Sequence, residues 1–322
     1  MKLNRFAKYA WGVLVYNLAV ILWGAYVRAT GSGAGCGSHW PLCNGEVIPR
    51  TPQVATMIEF AHRISSGLAL LLVVGLIIWA FRLYPKGHPV RLSAGLSMFF
   101  MISEALVGAG LVLFKLVAQD TSTARTLVIT IHLMNTFLLL AALTLTAWWA
   151  SGGRPVQLKG QGWLGLALGI GFLAMLILGA SGAVTALGDT LFPASSLAEG
   201  LQQKFSPTAH FLVRLRLFHP LIAIAVGVYV VIVIGLFNAR RPDSLARQIG
   251  RIFTILYFVQ LGAGAFNVLL LAPIWIQLWH LLMSDALWIM WVLFAAATLA
   301  QPATQVNQVD LLKPSPQVGG TV

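Results

Sequence analysis

The chain has 322 residues, of which 58% are hydrophobic and only 9% charged, with a mean hydropathy of +0.83. That balance excludes an ordinary soluble domain. The net charge of +12 would point to nucleic acid in a soluble protein. Here the cations sort along the chain by membrane side, so no nucleic-acid partner is expected.

Apolar runs long enough to span a bilayer are predicted at 10–29, 57–81, 93–117, 126–150, 163–186, 212–237, 252–271 and 274–300. The first is too long for a signal h-region and precedes no sensible cleavage site, so it reads as a retained span. Lys2, Arg5, Lys8, Arg82, Lys86, Arg91, Arg154, Lys159, Arg240, Arg241, Arg247, Arg251 and Lys313 fall on one side, thirteen of the 21 cations. The fold class is therefore an all-α membrane protein with eight transmembrane helices, N-in and C-in. Loops 30–56 and 187–211 lie on the outer side, and Trp79, Trp148, Trp149 and Trp163 sit at inner boundaries.

Loop 30–56 is rich in Gly and Pro and holds the only cysteines, Cys36 and Cys43. An oxidising compartment makes a disulfide the default there, and a compact Ω-like loop is expected. With no other cysteine, a zinc site is a poor reading.

Four histidines lie inside the spans: His62, His132, His219 and His280. Each stands six to eight residues into an even-numbered span, on the order of 10 Å from its outer end. An imidazole in hydrocarbon needs a partner. Parallel helices with imidazoles at one depth can clamp a planar metal cofactor, and haem iron accepts imidazole on both axial positions. The competing reading is four packed core histidines.

The halves repeat. His62 is followed by Gly67 and Gly75, and His219 by Gly227 and Gly235; Gly108-Ala109-Gly110 answers Gly262-Ala263-Gly264; His132 answers His280. Two pseudo-symmetric four-helix bundles follow, residues 10–150 and 160–300, with 301–322 a disordered tail. The repeat pairs His62 with His132 and His219 with His280.

Glu59 stands three residues before His62, on the same face. An apolar setting there would favour the protonated form and proton-transfer work; a bare helix N-terminal acid is the plainer alternative. Arg216 holds the matching place before His219, which makes the two sites unequal. Arg28, Arg63 and Arg125 flank the first site, Arg214 and Arg216 the second, as carboxylate-binding cations for porphyrin propionates would. Glu104 and Asp285 read as acids bonded within the bundle, His39 and His210 as solvated or structural, His88 as incidental. No broken helix is visible in the sequence.

Taken together, Gly24-Ala25-Tyr26-Val27-Arg28-Ala29-Thr30-Gly31-Ser32-Gly33, then Cys36 to Cys43 with Trp40-Pro41, then Glu59-Phe60-Ala61-His62-Arg63 through Gly67, with the later histidines, resemble the haem A synthase family over about residues 10–300. The resemblance implies oxidation of the C8 methyl of haem O to a formyl group, by two hydroxylations and loss of water. It implies that His62 and His132 bind the substrate haem, that His219 and His280 hold a haem b cofactor, and that Glu59 is catalytically important. It also implies the cell membrane as location, haem O synthase and an electron donor as partners, and an oligomer as an option. Many relatives carry a second cysteine pair in the loop between spans 5 and 6, and residues 187–211 have none. The alternatives are a non-catalytic di-haem cytochrome b subunit, a thiol-oxidising membrane protein and a transporter.

Overall fold

The computed structural model describes residues 3–50, 52–241 and 243–300; the tail 301–322 lies outside them. Ten α-helices follow in order: α1 (Arg5–Ala29), α2 (Val54–Leu83), α3 (Pro89–Leu113), α4 (Thr123–Ala150), α5 (Gly162–Leu191), α6 (Leu197–Phe205), α7 (Phe211–Leu215), α8 (Phe218–Arg240), α9 (Ser244–Leu269) and α10 (Ile274–Thr298). No strand occurs among the described residues. Counting α7 and α8 as one, eight helices are long and apolar enough to cross a membrane.

Caps set the ends. Asn4, Ser122 and Asp243 accept backbone N–H groups at the starts of α1, α4 and α9, satisfying donors that a helix leaves open. His88 and His210 do the same for α3 and α7 through Nδ1, which gives both histidines a structural role. At the ends of α3 and α9, Lys115 and Leu271 adopt positive φ. There the amides of Leu116 and Ala272 reach back to the carbonyls of Leu111 and Asn267, a Schellman closure built twice without glycine.

The sixth span is interrupted, contrary to the continuous helix expected. Residues 216 and 217 form a turn between α7 and α8. Pro220 is the cause: its ring has no N–H for the carbonyl of Arg216 and collides with it. The break puts His219 in the first turn of α8 and turns Arg216 inward.

The core joins α4, α5 and α10. Trp288 is buried, stacks on Phe137 with ring centres 5.0 Å apart, and donates its indole N–H to the Phe137 carbonyl. Gly171 and Gly179 on α5 face Trp291 and Phe137 so closely that a Cβ would stand 2.4 and 2.5 Å from them. Small residues opposite aromatics let helices approach in a setting where lipid is as apolar as the core. Exposed Leu, Ile and Phe side chains on α2, α3, α5, α8 and α9 form the lipid-facing surface. In α6, Leu197, Leu201 and Phe205 are exposed at a spacing of four, one apolar stripe on a short polar helix.

Candidate functional site

Contacts between loops and helix ends gather the histidine region at the disulfide end of the bundle. Arg28, at the end of α1, donates to the Ala186 carbonyl and to the hydroxyl of Thr190 at the end of α5, and to Gln277 at the start of α10. Arg216 reaches the Gly188 and Phe192 carbonyls. From this end, His62 lies eight residues past Val54, His132 nine past Thr123, His219 eight past Phe211 and His280 six past Ile274. The counts run from six to nine residues, close to those read from the sequence, and the one to His219 crosses the turn between α7 and α8.

Each imidazole rests edge-on against a glycine of a neighbouring helix. A Cβ on Gly24 of α1 would lie 3.0 Å from Cε1 and 3.1 Å from Nε2 of His62. The corresponding Cε1 distances are 3.2 Å for Gly182 of α5 under His219, 3.1 Å for Gly264 of α9 under His280 and 3.7 Å for Gly108 of α3 under His132. In three of these contacts a methyl group would make the ring give by a few tenths of an ångström.

The rings of His219 and His280 have centres 6.4 Å apart and planes at 81°. Two metal–nitrogen bonds of about 2 Å, each with about 1 Å from nitrogen to ring centre, separate axial imidazoles by about 6 Å. The 6.4 Å between the ring centres is close to that separation. His62 and His132 are also close enough to interact electrostatically. Among the described residues no group of three or more His, Cys, Asp or Glu could cage a metal. The donor set suits an ion whose remaining ligands come from a macrocycle.

The second ring nitrogens differ. Nδ1 of His219 lies 2.8 Å from the Ser181 hydroxyl. Nδ1 of His62 and of His280 are buried without a hydrogen-bond partner among the described residues. Nδ1 of His132 lies 3.2 Å from Glu104 Oε1, a close contact outside the geometry of a directed hydrogen bond. Glu104 is the site neighbour that the sequence marks only as a generic intramembrane acid.

Glu59 is buried but its setting is polar rather than the apolar one expected. Oε2 accepts the Cys36 amide at 2.8 Å, and Oε1 lies 2.6 Å from Arg63 Nη2. Arg63 Nη1 donates to the carbonyls of His39 and Leu42. Cys36 and Cys43 are disulfide-bonded. Glu59 and Arg63 therefore clamp the disulfide loop to α2, and this loop caps the bundle beside His62.

Two of the remaining cations share one acid. Arg216 Nε pairs with Asp189 at 3.2 Å, and Arg28 feels both Asp189 and Arg125. Arg125 is buried and also holds the carbonyls of Ala118 and Asp120. Three arginines with two carboxylates, Asp189 and Asp120, leave excess positive charge at the disulfide end, where an anionic group would be welcome. Arg28 belongs by sequence to the first half, yet its bonds are all to the second. Arg214 is exposed and makes no side-chain bond among the described residues. Asp285 is fully buried with neither oxygen bonded among them.

A family model described as cytochrome oxidase assembly protein, COX15-CtaA, matches residues 7–292. Proteins of two Thermus thermophilus strains, each named protoheme IX farnesyltransferase, are 57% identical over 304 residues, covering 94% of this chain and 50% of theirs. The chain thus spans about half the length of these relatives. A protein named heme A synthase from Halalkalibacterium halodurans is 47% identical over 95 residues, 30% of this chain and 32% of its own. Another of that name, from an Exiguobacterium species, is 38% identical over 112 residues, 35% of this chain and 37% of its own.

Proposed function

The chain belongs to the COX15-CtaA family of cytochrome oxidase assembly proteins, and we propose that it is the haem A synthase of its cell, oxidising the C8 methyl of haem O to a formyl group. The observation that carries this reading is the set of four imidazoles at one depth, with one pair spaced for a single metal ion. His62 and His132 hold the substrate haem; His219 and His280 hold haem b as resident cofactor. A bound haem supplies the electron-transfer and oxygen chemistry that side chains lack.

The protein's own contribution is placement. The glycines beneath the rings set how far each imidazole reaches into its site. Arg28, Arg125 and Arg216 offer their surplus positive charge to propionates, with exposed Arg214 beside them. Arg63 is committed to Glu59 and the loop carbonyls, so it acts by closing the loop over the first site. Glu59 stays the candidate for moving protons at the substrate methyl, and it is tied to the disulfide loop. The Thermus proteins are about twice as long and carry a farnesyltransferase name. We assign farnesyl transfer to the part this chain does not share, and take such an enzyme as the source of haem O. We place the protein in the cell membrane with the disulfide loop on the oxidising side.

The test is expression of the full chain with and without a haem O source, followed by analysis of the extracted haems. Haem A formed only with haem O, and lost in Glu59→Gln, is the expected result. The Gln variant keeps an acceptor for the Cys36 amide but loses the charge facing Arg63, so thermal unfolding and the reduction rate of Cys36–Cys43 are measured beside it, and loss of product with both unchanged is the expected result. Bound haem b at both sites with no haem A would overturn the enzyme reading in favour of a di-haem electron-transfer protein.

A further inference from the structure

Glu104 is the only carboxylate found beside any of the four histidines' ring nitrogens among the described residues. It lies on α3, nine residues before Leu113, while His132 lies nine residues after Thr123. Those equal distances bring the two level across the α3–α4 hairpin. Both carboxylate oxygens are held: Thr136 Oγ1 donates to Oε1 at 2.5 Å and Asn135 Nδ2 to Oε2 at 2.6 Å. Asn135 is itself fixed by Ser103, which donates to its Oδ1 at 2.6 Å. Asn135 donates to Glu104, the Thr136 hydroxyl is shared between Glu104 and the His132 carbonyl, and His132 Nδ1 stands 3.2 Å from Oε1 as a charge contact rather than a directed hydrogen bond.

The other three imidazoles are held differently. Ser181 donates its hydroxyl to the Leu178 carbonyl, leaving its oxygen as a neutral acceptor for His219 Nδ1. His62 and His280 have no partner at Nδ1 among the described residues. In α9, Gln260 stands four residues before Gly264, as Glu104 stands four before Gly108. Its amide donates to the His280 carbonyl and to Ser284, away from the ring. One half thus carries a carboxylate where the other carries an amide.

We propose that Glu104 is a positioning residue for the first-half site: it fixes His132 with Nδ1 protonated and Nε2 free, and makes that imidazole the strongest donor of the four. A carboxylate behind a metal-bound histidine orients the ring and raises its basicity, and a more basic axial ligand favours the oxidised iron. This rests on His132 being an axial ligand, as the proposed function has it. Thr136 opposes the effect, because a hydrogen bond to the carboxylate draws charge from it.

The experiment uses the full chain in detergent, loaded with haem O, and follows a redox titration by absorbance and the low-spin signal by electron paramagnetic resonance. The first-half wave is the one lost in His132→Ala. In Glu104→Gln that wave moves up by at least tenfold in the reduced-to-oxidised ratio, about 59 mV for one electron, toward the second-half wave, which stays in place. In Thr136→Val it moves down. A residue that only packed the helices would shift both variants in one direction. An unmoved wave in Glu104→Gln, or shifts of the same sign in the two variants, overturns the proposal. If the unsubstituted protein shows no wave dependent on His132, the ligand assignment fails first and this role fails with it.

Discussion

Replacing the glycines beneath the imidazoles should weaken cofactor binding while leaving the fold as stable or more so. Apolar atoms in ordinary contact stand about 3.5–4.0 Å apart. A Cβ at Gly24 would stand 3.0 Å from His62 Cε1, so the ring must retreat by about half an ångström, which reaches the tolerance of a working site. Gly264→Ala, at 3.1 Å, and Gly182→Ala, at 3.2 Å, demand slightly less. Gly108→Ala, at 3.7 Å, demands nothing and serves as the internal control. Disturbing the surroundings of a metal-bound histidine typically costs about 10–100-fold in affinity, and we expect that range for Gly24→Ala and Gly264→Ala. Alanine meanwhile favours an interior helical position by about 0.8–1 kcal/mol over glycine. Titration of the purified variants with haem, beside thermal unfolding of the haem-free proteins, separates the two effects. The reasoning fails if Gly108→Ala loses haem as badly as Gly24→Ala, or if the three tight positions bind like the parent.

Three further outcomes follow from the polar contacts. Arg63→Ala leaves Glu59 buried without its counter-charge, a change worth about 3–5 kcal/mol, and releases two loop carbonyls; alkylation and mass analysis should show faster reduction of Cys36–Cys43, and Arg63→Lys should not restore it, since an ammonium lacks the fork. Arg216→Ala removes one of the cations beside Asp189, so the unfolding temperature should fall and adding Asp189→Asn should recover part of the loss, with a coupling of about 0.5–3 kcal/mol in the double-mutant cycle. The Ser195 hydroxyl and amide hold the Glu199 carboxyl below its ordinary range. The first turn of α6 should therefore be firmest above that range and fray as pH falls through the lowered value, read as lower amide protection at 197–201 relative to intrinsic exchange at each pH; protection that does not change with pH would contradict it.

Most of the fold is legible because spanning a membrane needs long apolar runs, and these also set where the histidines fall along their helices. What escaped has local causes. Pro220 is a visible helix breaker, but inside a long apolar run its effect on the Arg216 carbonyl is easily passed over. Glu59 looks apolar in setting because its partners are an arginine one turn on and a backbone amide 23 residues back, and no periodicity reports a loop folding over a helix. Glu104 could have been found: counting nine residues from each side of the α3–α4 turn places it level with His132, and an acid within a membrane demands a partner.

The two halves use the same contact, an imidazole against a helix glycine, and differ in what surrounds it. Glu59 and Arg63 tie a disulfide loop over the first site, whereas Arg216, at the same step before its histidine, ties α8 to α5 through Gly188, Phe192 and Asp189. Glu104 faces a ring nitrogen where Gln260 faces a carbonyl. Four equal ligands would give two equal sites. Chemical inequality must then come from these neighbours, and the first half has both carboxylates placed to act on a ligand or on the loop above it. The second half has a hydroxyl on one ring nitrogen and an amide on a backbone carbonyl, neither of which brings a charge to a ring. That division suits a protein in which one bound group is altered and the other kept.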